Sequence, residues 1–551
     1  MSLILNSFQK SVVVFSVVIV AWTILHLILL FVPVDLSLEF HSSIDDTYFF
    51  IEFAPEIWLT LLSLILGTLI IVISIASQSN PKLIDYYLGD YPSLYYIWLI
   101  TIGGMENIYM QLNLAINSIY WNNVIFMNVY MILPLAVLGG IPYTFYILSY
   151  TKTSNVISKI FLENRKFIKR IASQTATPSR VKSYQHHLLD TINQLDDQLG
   201  YVQFKEAKSE IINRFGRSIR HYLREKSNMD PGFFATSQAV RHDISFKTLG
   251  ESLEQIEFDQ TFYEHKVFRI LVGTYRDQVE RGYHDIASQC GNELAKIGIT
   301  SLESKQHKSV ELTLVQFNTI MRIGIKLATK TRDIRAVYNS VYHYSLLIKY
   351  FIERGQKDYI LKCCKYLSYY VTELYKLCID QPHFRFLIDA LFKELQVVLV
   401  RLNNHDYDIE FQERILKIFA KLRPQAGHVS ITDIRSDGTR LIRIALILYY
   451  LDQNREKLAD YLLDDMIDHL IQVKELTKND IVHIVVDDCK RINETTPTFW
   501  EDTDRGNANI YHSPEKIQVT NFIKLFHEKI GQSKERFNGR WSEKASQVLT
   551  N

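Results

Sequence analysis

Two stretches of this chain, Ser11 to Val32 and Ile57 to Ser77, are almost unbroken apolar sequence. Each is about 20 residues long, which at 1.5 Å per helical residue matches the roughly 30 Å hydrocarbon core of a bilayer. A water-soluble fold has no place for such segments, so the first 150 or so residues are expected to lie in a membrane. The apolar run of the first stretch is too long for the h-region of a signal peptide, and no small-residue cleavage site follows it, so it is expected to stay as an anchor. Ser93 to Ile116 and Val124 to Ser149 are less uniform but long enough to span. They carry Tyr95, Tyr96, Trp98, Tyr120, Trp121 and Tyr146 near their ends, the aromatic chemistry of the membrane interface.

Charge divides the chain at the same place. Up to Tyr150 the only basic residues are Lys10 and Lys82, against nine acids; this part carries −7 and the remainder +8, so the overall +1 conceals an acidic part and a basic part. Lys10 precedes span one, Lys82 falls between spans two and three, and Lys152 onward follows span four. Positive residues stay on the cytoplasmic side, so both termini are expected there. The segment Asp35 to Glu56 has six acids and no Lys or Arg, which suits the outer face.

Glu106 falls midway along span three, where a carboxylate is costly unless it is paired, hydrated or protonated. At 100° per residue, Gly103, Glu106, Met110, Asn113 and Asn117 share one face of that helix. This stripe is expected to face protein or water, either lining an ion path or joining helices. Pro134, Gly139, Gly140 and Pro142 loosen span four and mark a kink or hinge.

Beyond the last span, Val156, Ile157, Ile160, Phe161, Ile168 and Ile171 recur at helical spacing while Lys159, Arg165, Lys166, Lys169 and Arg170 occupy the other face. Such a basic juxtamembrane helix suits anionic lipid headgroups. No basic stripe with interleaved aromatics continues past it, so nucleic acid is not an expected partner. The expected organisation is a four-helix transmembrane domain over 1–150, the basic helix and a linker over 151–182, and a small mixed α/β unit over 183–255, where Asp230-Pro231-Gly232 signals a turn. A mainly α cytoplasmic body of helical hairpins follows over 256–490, then a loop, a terminal helix and a tail over 491–551. The hairpins are read as Phe262 to Ile297, Ala336 to Cys378, Phe384 to Leu422 and Leu441 to Leu476, spaced too unevenly for a strict repeat but compatible with an α-solenoid.

Nucleotide-binding, nucleophile-elbow and zinc-protease motifs are absent, so no enzyme, cofactor or metal is expected. The five cysteines lack metal or redox spacing and read as reduced core residues. Asp464, Asp465, Asp468 and His469, and His483 with Asp487 and Asp488, read as charged helix faces, and His186-His187 as surface.

Four stretches resemble a bacterial family of membrane proteins, domain of unknown function 2254. Ala76-Ser77-Gln78-Ser79-Asn80-Pro81-Lys82-Leu83-Ile84 is similar to that family's Ala-Ser-Ser-Gln, Pro-Arg-Leu-Leu stretch. Leu199-Gly200-Tyr201-Val202-Gln203 and Asp230-Pro231-Gly232-Phe233-Phe234 resemble its Ser-Gly-Tyr-Val-Gln and Pro-Gly-Asp-Phe-Val. Arg322-Ile323-Gly324-Ile325-Lys326-Leu327 resembles its Asp-Ile-Ala-Leu-Arg-Ala, although the family's Asn-Asp-Pro is replaced by Arg332-Asp333-Ile334. The resemblance implies a bacterial inner-membrane location and four spans, and names no reaction. Two functional expectations follow from the residues: a homo-oligomeric channel or pore gated by its cytoplasmic body, or a membrane-anchored scaffold or sensor that recruits a cytoplasmic protein partner along the hairpins.

Overall fold

A computed structural model of the chain describes residues 2–33, 44–79, 91–112, 119–150, 153–175, 177–247, 252–423, 438–472, 476–494 and 516–532. Lys82, Asn113, Asn117, most of the loop expected at 493–514 and the tail beyond 532 lie outside these residues. The described residues are helix and turn, with no strand among them. They form two compact units, one of 1–164 with 190–211 and one of 165–189 with 212–551.

The first unit opens with α1 (Ser2–Leu30), α2 (Ile44–Ser79) and α3 (Tyr91–Leu112). A long helix follows in three pieces: α4 (Ile119–Phe126), a π-helical segment (Met127–Ile132) and α5 (Leu133–Tyr150). Three stretches are long and apolar enough to cross a membrane: Lys10–Leu30, Glu52–Ile71 and Ile119–Ile147. Their outward faces expose large apolar side chains, among them Val20, Ile28, Leu64, Ile70, Leu138 and Phe145, a surface that water would not tolerate over such an area. α3 is long enough but more polar than these three.

Side-chain contacts fix the helix directions. Trp98 of α3 donates to Ser11 of α1 at 3.1 Å, and further along both helices His26 meets Glu106, so α1 and α3 run parallel. Tyr96 of α3 donates to the Ala136 carbonyl of α5, whereas Glu106 meets Asn128, so the last helix runs antiparallel to α3. One correction concerns α2, which begins at Ile44: the second half of the acidic segment read as an outer loop is helical. Counting charges assigns a side of the bilayer but is blind to backbone conformation.

The chain continues with α6 (Thr153–Ala172), α7 (Pro178–Tyr201) and α8 (Lys205–Glu225). The expected small β-containing unit is corrected: between α8 and α9 (Gln238–His242) lie only short 3₁₀ turns, and α10 (Ser252–Phe258) follows. Its turn signal is real, since the Asp230 side chain accepts from the Gly232 N–H at 2.9 Å and Phe233 and Phe234 are buried. A turn signal of this kind does not say whether the flanking elements are strands or helices.

After α11 (Phe262–Glu280) come α12 (His284–Glu303) and α13 (His307–Thr331), α14 (Arg335–Glu353) and α15 (Lys357–Cys378), α16 (Arg385–Asn404) and α17 (Ile409–Ala420), then α18 (Gly438–Asp452) and α19 (Glu456–Gln472). These four hairpins form a regular array. Their internal turns centre on Lys305, Gly355, Asp406 and Asn454, all at positive φ and 50, 51 and 48 residues apart. In each, the left-handed residue donates to the carbonyl three back and its successor to the one five back, as in Lys305 to Leu302 and Gln306 to Ser301. This paired closure satisfies carbonyls that a helix end leaves open. First helices stack on first helices (α12, α14, α16, α18) and second on second (α15, α17, α19), the arrangement of an α-solenoid.

The first expected hairpin, Phe262 to Ile297, corresponds to α11 and α12, which turn at Gly282 (φ 77) with the same paired closure; what the expectation passed over is α13. The Lys305 turn carries no glycine, asparagine or aspartate, so it leaves no sequence signal. Gly291 and Gly298 of α12 let α14 approach closely: a Cβ on them would lie 3.2 Å from His343 and 3.0 Å from Leu347. α20 (Lys478–Glu494) and α21 (Lys516–Gln532) pack against α18 and each other; α21 buries Phe522, Phe526 and Ile530 there.

Candidate functional site

Glu106 has the partner that its position demands. One carboxylate oxygen, Oε1, meets His26 Nε2 of α1 in a short hydrogen-bonded pair. The other, Oε2, accepts from Asn128 Nδ2 at 2.6 Å. Asn128 sits in the π-helical segment, where the backbone N–H of Leu133 reaches back five residues to the Asn128 carbonyl. Pro134 follows at once; it has no N–H to donate and its ring would crowd the carbonyl four residues earlier. The widened turn takes up that mismatch and aims the Asn128 amide at α3.

The network also takes in α2 and α4. The Asn128 side-chain oxygen accepts from Asn107 Nδ2 at 3.0 Å and from Trp58 Nε1 of α2 at 3.3 Å, and its amide also reaches the Gly103 carbonyl at 3.4 Å. On the far side of the imidazole, His26 Nδ1 lies 2.7 Å from the Tyr120 hydroxyl of α4. Tyr120 packs on Trp121, and Trp121 on Tyr109. Asn107 and Asn128 are fully buried. The side chains of His26 and Glu106 keep 26% and 11% exposure.

Gly103 and Gly104 favour this geometry, since a Cβ on Gly103 would come within 2.7 Å of the Trp58 ring and one on Gly104 within 3.3 Å of the Trp58 Cβ. The stripe read from the sequence thus packs on protein over its described part: Gly103 and Met110 are buried and Glu106 is bonded. Asn113 and Asn117 fall outside the described residues. Of the hinge candidates, Gly139 and Gly140 lie against Tyr96, which a Cβ would approach to 3.5 and 3.2 Å, Pro134 bounds the π segment, and Pro142 lies inside α5.

Sequence reasoning missed His26, Asn107, Asn128 and Trp58, and read Tyr120 only as an interfacial residue. A usable signal was present, because an ionisable residue among apolar helices calls for a polar partner on another span. His26 is the only histidine before Tyr150 other than His41.

Elsewhere, Lys159, Arg165, Lys166, Lys169 and Arg170 are all exposed on α6, while Val156, Ile157, Ile160, Phe161, Ile168 and Ile171 are buried. His186 and His187 are exposed, and His187 stacks on Phe167 at 4.9 Å. The acidic constellations are held by cations: Asp465 by Arg423 and Arg443, Asp488 by Arg440, and Asp464 by Lys529. All five cysteines are unbridged thiols, and burial pushes that of Cys363 up to about 12. Comparison with protein-family models, with curated proteins and with solved structures finds no match to this chain.

Proposed function

We propose that this is a multi-pass protein of a bacterial inner membrane that assembles as a homo-oligomer into a channel, with the helical array gating it from the cytoplasm. The parallel run of α1 and α3 and the antiparallel run of the α4–α5 helix support crossings in alternate directions, and the placement of Lys10 and Lys152 supports cytoplasmic termini. The likeness to domain of unknown function 2254 supports the location. The observation that carries a conducting role is the His26–Glu106 pair, an ionisable couple retained among apolar helices and left partly accessible. Such groups are expensive in a membrane, and an intramembrane ionisable residue is by default a candidate functional site. The exposed cations of α6 support contact with anionic headgroups on the same side.

The solenoid favours a second reading, a membrane-anchored scaffold or sensor, because stacked hairpins present extended surfaces to protein partners. One experiment separates the two: the mass of the purified full-length protein in detergent, followed by planar-bilayer recording. A ring that passes current supports the channel. A monomer, or a ring silent at every voltage and tension, supports the scaffold.

A further inference from the structure

Resting on the membrane reading above, we propose that His26 and Glu106 together bind a single exchangeable proton delivered through the Tyr120 hydroxyl, so that the proton is the ion this site handles. The donors and acceptors carry the case. A metal cation needs several oxygens turned toward it, yet both Glu106 oxygens are met by nitrogen donors, His26 Nε2 on one and Asn128 Nδ2 on the other. The Asn128 oxygen is likewise taken by Asn107 and Trp58. Of these side chains, Asn107 alone keeps a buried oxygen without a partner, too few for a sodium or potassium ion, which would have to break the other bonds, whereas a proton needs only one acceptor.

That acceptor is His26 Nδ1. With Glu106 ionised, Nε2 carries its hydrogen toward the carboxylate, and in the neutral ring Nδ1 accepts from the Tyr120 O–H over 2.7 Å. On uptake Nδ1 gains a proton and becomes a donor to the Tyr120 oxygen, whose own hydrogen turns away. One proton is bound, no heavy atom need move, and the charge on the pair goes from −1 to 0. The loaded form suits apolar surroundings, where an uncompensated carboxylate is costly. Among the described residues, the groups bonded around the pair are otherwise neutral: α2 presents Trp58, the π segment Asn128, α3 Asn107 and α4 Tyr120, which packs on Trp121 and through it on Tyr109. The residual exposure of His26, larger than that of Glu106, places the entry on the imidazole side.

The test uses the full-length chain, ¹⁵N-labelled at histidine, in lipid vesicles. The His26 ring signals, assigned by their loss in His26→Gln, are expected to pass from the neutral to the doubly protonated pattern in one step as pH falls. Glu106→Gln should move that step by at least about tenfold in proton affinity, the scale of an ion pair removed from an apolar site. Tyr120→Phe, which keeps the ring and removes the hydroxyl, should slow proton exchange at Nδ1 while leaving the step with Glu106 in place. A His26 ring that holds one form from about pH 5 to pH 9, or that titrates alike with glutamate and glutamine at 106, overturns the proposal. Currents in the same vesicles judge the channel separately: a reversal potential that follows potassium or chloride in place of the proton gradient keeps the channel and overturns this inference.

Discussion

The two units handle buried polarity in opposite ways. In the apolar first unit, one carboxylate, one imidazole and several neutral groups from different helices merge into a single hydrogen-bonded network. In the helical body, buried carboxylates are each met by one or two cations close by: Glu264 by Lys226 at 2.6 Å, Asp243 by Lys266 at 2.9 Å, and Asp465 by both Arg423 and Arg443. The body can close each charge locally because its sequence is rich in both signs. In the first unit, with two lysines among its first 150 residues, the described residues place no cation beside Glu106 except the one that His26 can become.

The comparison can be broken most forcefully in the body. Lys266→Met leaves Asp243 buried beside Ser245 without its cation and should destabilise the protein by about 3–5 kcal/mol. Thermal unfolding of the full-length chain should show a much lower transition, and adding Asp243→Leu should restore most of it. A Lys266 variant as stable as the parent would mean that the charge finds water.

In the first unit the loss should be smaller and shared. Asn128→Leu removes bonds to Glu106, Gly103, Asn107 and Trp58. At roughly 0.6 kcal/mol for an interhelical bond in a membrane protein, the sum is about 2 kcal/mol. Detergent-induced unfolding checks this, and a silent Asn128→Leu would show that packing of Trp58 on Gly103 and Gly104 alone holds these helices.

Glu106→Gln should be milder still, within about 1 kcal/mol of the parent, because the amide still bonds to His26 and removes an expensive charge. A large loss would mean that the ion pair itself holds α1 to α3.

Much of this contrast was legible in the sequence, and the remainder failed for identifiable reasons. Apolar length located three helices that can span, and periodicity located seven of the eight helices of the solenoid hairpins. The turn at Lys305 stayed hidden because its left-handed residue is one that local rules would not choose. Glu106 announced itself by depth, but its partners lie 80 positions before it and 22 after it, and only packing brings them together. The π-helical segment left no mark beyond Pro134.

The smallest expected effect belongs to the body's histidines. Burial first, then Arg165, holds His221 below its usual pKa, and burial does the same for His265 against the opposing pull of Glu264 and Asp259. Because both titrate lower when folded, the unfolded chain takes up protons first. Their contribution is complete above the ordinary histidine pKa near 6.5 and is lost as pH falls below it. The transition temperature should therefore decline from pH 7.5 toward pH 5.5, and His221→Gln with His265→Gln should flatten that decline. An unchanged slope would assign it to other groups.

The π-helical segment has one more consequence. Lengthening a hydrogen-bonded loop from four residues to five acts like slipping one extra residue into the helix, a rotation of about 100° between the stretches before and after it. One continuous span can thereby turn Asn128 toward Glu106 and, a little later, Ala136 and Gly140 toward Tyr96 on the same neighbouring helix. Deleting a single residue within 127–132 would rewind the span to ordinary pitch and set its two halves at odds: whichever half kept its docking, the other would present a lipid-facing side to α3. In that sense the span is built with a fixed phase offset, and its register, more than any one side chain, is what a shortened variant would lose.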